Sequence, residues 1–156
     1  MIGPEMVIQL QEDAIPYYVN GARPIPFADR PEVKQLLDDY VEQGLIVPVE
    51  ETTDWAAPLV VLRRSNRKLR IVVDHTRLNR FVRRPTHPTR TPRDAVVEID
   101  RGANFFSCFD AANGYYQFPL HLSSQILTPF MTPWGRFKIL RASMGLSCLG
   151  LNLTAV

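Results

Sequence analysis

The sequence predicts an α+β domain, and three features predict it. One stretch, "DRPEVKQLLDDYVEQG", repeats its apolar residues at helical spacing. Several short runs, "APLVVLR", "KLRIVVD" and "RFKILR" among them, are rich in β-branched and aromatic residues. Polar turns such as "RSNR" and "TPWG" separate those runs, which favours a largely antiparallel sheet. The length, 156 residues, suits one domain, and a hydrophobic fraction of 46% excludes a disordered chain. Thirteen prolines argue for many irregular connections.

In chain order, a Pro-rich lead comes first and reaches "PYYVNGARPIPFADR" as extended chain. In the helix that follows, Pro31 occupies the first turn, where a missing N–H costs nothing. Val33, Leu36, Leu37, Tyr40 and Val41 form one apolar stripe, and Gly44 can end the helix. "APLVVLR" and "KLRIVVD" flank "RSNR" as a hairpin, and the loop "RFVRRPTHPTR" follows. "TPRDAVVEIDRG" reads as a short helix capped by Thr91, with Pro92 at its first position and Asp94 in its first turn. "ANFFSCFD" reads as a buried strand, and "YYQFPL", "LTPFM" and "RFKILR" as further strands. No apolar run approaches a membrane span, and the N-terminus lacks the pattern of a signal peptide. Cys108 and Cys148 lack metal-ligand spacing, so a reduced intracellular chain, cytoplasmic or nuclear, is expected. There is no internal repeat.

A formal net charge of +2 hides a strong asymmetry. Residues 1–54 hold eleven acids and three bases, residues 55–93 eleven bases and one acid, Asp74, and the remainder four of each. Such a cationic middle suits a polyanionic partner, although a charge run can also be a solvated face.

Asp110 closes the apolar run "FFSCFD", and no Asp or Glu follows it. A carboxylate at the end of a buried strand needs a cation or N–H donors. Two readings stand at this point: an Asx cap of the turn "DAANG", or a ligand for Mg²⁺, a hard cation that prefers oxygen.

Four stretches in order bear on that choice: "DWAAPLVVLRR", "KLRIVVDHTRLN", "FFSCFDAANGYYQFPL" and "FMTPWGRFKILRASMGL". Together, over roughly residues 16–147, they resemble the reverse transcriptase (RNA-directed DNA polymerase) of gypsy-type long-terminal-repeat retrotransposons, a retrovirus-related Pol polyprotein segment. The resemblance implies the fingers and partial palm of a right-hand polymerase. It divides the chain into an extended Pro-rich lead at 1–28, fingers at 29–101, a partial palm at 102–147 and a divergent tail at 148–156.

It further implies that Asp110 is the first catalytic carboxylate and binds both Mg²⁺ ions, with the Ala111 carbonyl as a further ligand. Asn113 and Gly114 would offer backbone N–H groups to the triphosphate. Tyr115 would be the steric gate against a 2′-hydroxyl, while Tyr116 is assigned to packing. Arg70 would grip triphosphate oxygens and stack on the base, with Arg63 or Arg64 as the second phosphate-binding cation. Met144 would line the nucleotide pocket, or else fill a gap in the core, and Gly145 would allow close backbone approach. Arg67 and Lys68 would meet template or solvent, and Arg77, Arg80, Arg83, Arg84, Arg90 and Arg93 the nucleic-acid backbone. The implied partners are an RNA template, a DNA primer and deoxynucleoside triphosphates.

The departures are specific. The family's "DYR" is "DHT" here, so Thr76 stands where an Arg is usual, and "TAF" is "TPF", which suggests that Pro129 lies near a sheet edge. The family's second carboxylate pair, Tyr-x-Asp-Asp, has no counterpart in this sequence, nor do thumb, connection and ribonuclease H regions. The chain alone is therefore expected to be catalytically incomplete and to need a separate palm and thumb portion. Two other classes remain in view: a non-catalytic nucleic-acid-binding relic that uses the Arg-rich face, and an interaction fragment that folds beside another polymerase piece.

Overall fold

The computed structural model describes residues 5–63, 68–83 and 114–147, together with 93, 97, 102, 105 and 107. Helix α1, Arg30–Glu42, follows a single 3-10 turn at Phe27–Asp29. Its first turn contains Pro31, which needs no donor there. Val33 and Leu37 are wholly buried, and Leu36, Tyr40 and Val41 pack beside them, so the apolar stripe is the face that meets the core. The outer face carries the pairs Lys34–Asp38 and Gln35–Asp39, four residues apart. Gly44, at φ +63°, ends the helix in a conformation that costs glycine least.

Among the described residues five strands form one sheet. They are β1 (Ile46–Pro48), β2 (Ala57–Arg63), β3 (Leu69–Val73), β4 (Phe130–Thr132) and β5 (Gly135–Ile139), in the order β1-β5-β4-β2-β3. The β2–β3 and β4–β5 hairpins and the β1–β5 pair are antiparallel, whereas β2 and β4 run parallel, with Ala57 opposite Phe130. The helix, the basic hairpin and the β4–β5 hairpin match the sequence expectation. Strand β1 was not anticipated. It is three residues long, and it carries Pro48 on the edge of the sheet, where a missing N–H is tolerated.

Two expectations need correction. "YYQFPL" is not a strand: Gly114–Gln117 form a 3-10 turn, after which Pro119 and Leu120 make only isolated bridges to Arg141 and Met6. Tyr115, Tyr116 and Phe118 all pack against the core, a spacing that an alternating strand would not give. Nor does Pro129 mark an edge, since β4 lies between β5 and β2. Pro129 precedes the first paired residue, and its carbonyl accepts from the Ala57 N–H at 2.8 Å. The hydroxyl of Thr128 then stands in for ladder bonds: it accepts from the Ile139 N–H at 3.1 Å and reaches the Ile139 carbonyl at 3.3 Å. The helix expected at "TPRDAVVEIDRG" and the strand expected at "ANFFSCFD" fall largely outside the described residues.

The core is one cluster. Phe130, 1% exposed, stacks on Phe137 at 5.9 Å, and Leu37, Leu59, Ile71, Leu120 and Ile139 complete its centre. The lead is stitched to it. Met6 donates to the Pro119 carbonyl at 2.8 Å, and Ile8 N–H donates to the buried Ser124 hydroxyl at 2.7 Å. Tyr17 and Val19 bracket Ala56 with backbone bonds of 2.9 and 3.0 Å. Among the described residues no helix is long and apolar enough to cross a membrane.

Truncating Phe130 to Ala leaves a cavity where β4 meets both neighbours, so stability should fall by about 3–5 kcal/mol. Truncating Leu122, which is 71% exposed, should change it by about 0.5 kcal/mol or less. Denaturant titration of both variants checks the contrast.

Candidate functional site

The hairpin register decides which cations share a face. Arg70 lies opposite Leu62, and Arg63 lies opposite Leu69. Opposed residues project to the same side and neighbours alternate, so Arg63 and Arg70 leave the hairpin on opposite sides. Arg63 forms an ion pair with Asp29 at the start of α1. Arg70 instead contacts the sulfur of Met144 and borders a cavity of about 30 Å³ shared with Tyr40, Tyr116 and Ser143. The cavity floor is sheet: Leu59, Phe130 and Ile139. Its polar equipment is sparse. The Ser143 hydroxyl is buried and has no hydrogen-bond partner among the described residues. The Tyr116 ring meets Tyr40 edge-on at 5.9 Å. Burial, then the Tyr40 neighbour, pushes the Tyr116 phenol well above its ordinary value, with the Arg70 charge pulling the other way. Tyr116 is therefore a neutral donor near pH 7.

Gly114 opens the 3-10 turn, and Tyr115 is half-buried against the core. Met144 is 44% exposed, so it reaches from the cavity into solvent. Gly145 adopts φ +101°, which favours glycine, while a Cβ there would meet the Val73 carbonyl oxygen at 3.4 Å, an ordinary contact, so it is the backbone conformation and not crowding that calls for glycine. Asp110, Ala111, Asn113, Arg64, Arg67, Arg84 and Arg90 lie outside the described residues. Among the described residues no group of three or more His, Cys, Asp or Glu could hold a metal ion.

The next cations follow β3. Helix α2 is a single turn, Thr76–Asn79. Arg77 lies over the Tyr17 ring at 5.4 Å, Arg83 meets Glu12 at 3.7 Å, and Arg80 is exposed. Arg93 is a helical, exposed residue. The departure at Thr76 has a structural use. Its hydroxyl donates to Asp74 at 2.6 Å, its N–H donates to the same oxygen at 3.2 Å, and Arg23 holds the other oxygen at 3.0 Å. The Thr76 hydroxyl, with the Thr76 amide and Arg23 behind it, lowers the Asp74 pKa against the opposing effect of burial. His75 is buried, neither ring nitrogen has a hydrogen-bond partner among the described residues, and desolvation lowers its pKa to about 4, although Asp74 nearby pulls it up. Sequence reasoning passed over Asn79. Its amide donates to the Gly145 carbonyl at 2.5 Å and accepts from the Ser147 N–H at 2.9 Å. The available signal was the "LN" of "DHTRLN".

Comparison with known proteins places this geometry. The fold is that of reverse transcriptases. The native Prototype Foamy Virus protease-reverse transcriptase superposes with TM-score 0.72 at 19% identity, over 93% of this chain and 19% of that one. The foamy viral protease-reverse transcriptase in complex with RNA/DNA hybrid gives 0.70 at 18% identity, over 93% and 19% of the two chains. The chain is homologous to Pol polyproteins from retrotransposons and caulimoviruses, as a reverse-transcriptase-like segment of them. It is 33% identical over 122 residues to the enzymatic polyprotein of Cestrum yellow leaf curling virus, covering 74% of this chain and 18% of that protein. It is 27% identical over 126 residues to the retrovirus-related Pol polyprotein from transposon opus of Drosophila melanogaster, covering 79% and 12%. The chain thus spans less than a fifth of the length of these relatives. No protein-family model matches it.

The His75 environment gives a pH prediction. Its folded pKa, about 4, lies below the unfolded value of 6.5, so the unfolded chain binds the extra proton. Stability should be full above pH 6.5 and fall toward pH 4, by roughly 2 kcal/mol at pH 5. A His75→Phe variant should lose this slope between pH 6.5 and 5, as read by denaturant midpoints at each pH. An unchanged slope in that variant would place the titration elsewhere.

Proposed function

We propose that this chain supplies the nucleotide-gripping and template-holding part of an RNA-directed DNA polymerase. One observation carries the reading. Arg70, Tyr116 and Met144 border one cavity, in a segment homologous to Pol polyproteins. Residues 29–101 act as fingers and 102–147 as part of the palm.

The roles follow from chemistry. The Arg70 guanidinium is planar, permanently charged and bidentate, which suits triphosphate oxygens. Tyr116 keeps its proton, which is engaged with Tyr40, and packs as a neutral ring beside Arg70. Tyr115 crowds a 2′-hydroxyl, and the N–H groups of Asn113 and Gly114 meet phosphate. Arg63 is turned to Asp29, which favours Arg64 as the second phosphate cation. Arg77, Arg80, Arg83 and Arg84 contact template or primer backbone, a mode that binds many sequences alike.

Magnesium enters through the resemblance. Its proposed ligands are the Asp110 carboxylate and the Ala111 carbonyl, and bound metal would stabilise charge on the transferring phosphoryl group. The described residues add no carboxylate cluster to that pair. Mg²⁺ binds weakly to so few protein donors.

For the 156 residues by themselves, so small a donor set leaves the proposed metal site incomplete and favours binding without chemistry. A primer-extension assay with template, deoxynucleotides and Mg²⁺ should show no product. Extension that Asp110→Asn abolishes would overturn this incompleteness. Affinity for an RNA–DNA hybrid should fall steeply as salt rises, and Arg83→Ala should weaken it about equally for unrelated sequences. A salt-independent affinity would remove the arginine face from the reading.

A further inference from the structure

We infer that Asn79 is a positioning residue that sets Met144 against Arg70, and so fixes the width of the nucleotide slot. The inference rests on the nucleotide-binding reading above and adds a residue to it.

The segment after β5 starts from a fixed point. Ala142, wholly buried, donates its N–H to the Phe118 carbonyl at 2.8 Å. Met144 follows two residues later and is 44% exposed, so packing does not hold it directly. What holds the far side of Met144 is the Asn79 amide. Its nitrogen donates to the Gly145 carbonyl at 2.5 Å, and its oxygen accepts from the Ser147 N–H at 2.9 Å. These two bonds span sequence separations of 66 and 68 residues. An amide carries a donor and an acceptor on one rigid plane, so a single side chain can engage both a carbonyl and an N–H. Asp offers only acceptors and would set oxygen against the Gly145 carbonyl; Ala offers neither group.

The clamp is itself anchored. Asn79 N–H donates to the His75 carbonyl at 2.8 Å, and Asp74 caps the same turn through Thr76. Asp74 directly follows β3, the strand that carries Arg70. Gly145 closes the arrangement from the other side: its φ of +101° and its approach to the Val73 carbonyl let the segment lie against the end of β3. Met144 is thereby suspended between Ala142 and Gly145, over the strand from which Arg70 projects. The turn around Met144 is also closed by the Leu146 N–H, which donates to the Ser143 carbonyl at 3.4 Å, and Leu146 is buried in the core. Without the Asn79 amide the Gly145 carbonyl and the Ser147 N–H turn to water, and that turn loses its side-chain tie to α2.

The test uses the full 156-residue chain with methyl-labelled methionine, and deoxythymidine triphosphate with Mg²⁺ as the nucleotide probe. In Asn79→Ala the Met144 methyl resonance should move toward its position in an unfolded chain, and triphosphate affinity should fall about tenfold. Asn79→Gln keeps the donor and the acceptor and should recover part of both readouts; Asn79→Asp should recover less. If Asn79→Ala does not fold, the Gln and Asp variants carry the comparison, and equal behaviour of the two overturns the inference. Arg70→Ala tests the underlying reading separately. If Arg70→Ala leaves triphosphate binding intact, both ideas fall. If Arg70→Ala weakens binding while Asn79→Ala changes neither the methyl resonance nor the affinity, the positioning role alone falls. It also falls if the resonance moves and the affinity does not.

Discussion

The parallel pairing of β2 with β4 is the contact on which the rest of the molecule depends. It joins two hairpins separated by a long stretch of chain, and it does so through only two paired positions, Ala57 with Phe130 and Pro58 with Met131. So short a ladder cannot hold by hydrogen bonds alone, since each contributes about 1 kcal/mol net. Burial supplies the remainder. Phe130 is sealed between Phe137 and the sheet floor, the Pro129 carbonyl accepts from the Ala57 N–H of β2, and the Thr128 hydroxyl ties the same segment to Ile139 of β5. Once β4 is seated, the hairpin bearing Arg70 and the segment bearing Met144 are brought to one cavity. The candidate site follows from the pairing.

Charge is arranged around the same frame. The acid-rich lead does not drift away from the cationic middle but lies along it. Asp29 pairs with Arg63, Glu12 with Arg83, and the Tyr17 ring underlies Arg77. These are partly exposed contacts that salt screens readily, so they orient the lead more than they stabilise it. Arg70 differs in having Met144 and two tyrosines around it, an environment less hydrated than that of an exposed arginine. Lower hydration strengthens its interaction with a phosphate.

How much was legible depended on the range of the interactions. Helix α1 could be read because its stripe, its proline and its terminal glycine are local signals. The β2–β3 hairpin could be read because two β-branched runs flank a polar turn. Strand β1 is too short for any period to emerge, and its identity comes from Ile139 across the sheet. The run after Gly114 misled because its aromatic residues are apolar enough for a strand, yet all are partly buried on one turn. Pro129 suggested an edge, yet β4 lies inside the sheet, because the Pro129 carbonyl still accepts from the Ala57 N–H. Within the site, Arg70 and Met144 could be matched by motif. The opposite direction of Arg63 needed the register, and the clamp of Asn79 spans 66 residues that no local pattern crosses.

Arginine modification read by mass spectrometry tests the central geometry most directly. The chain is treated with phenylglyoxal, with and without a deoxynucleoside triphosphate and Mg²⁺. The account predicts that nucleotide protects Arg70 and leaves Arg63 unprotected. Protection of Arg63 with Arg70 still reactive, or equal reactivity of Arg70 under both conditions, would contradict it.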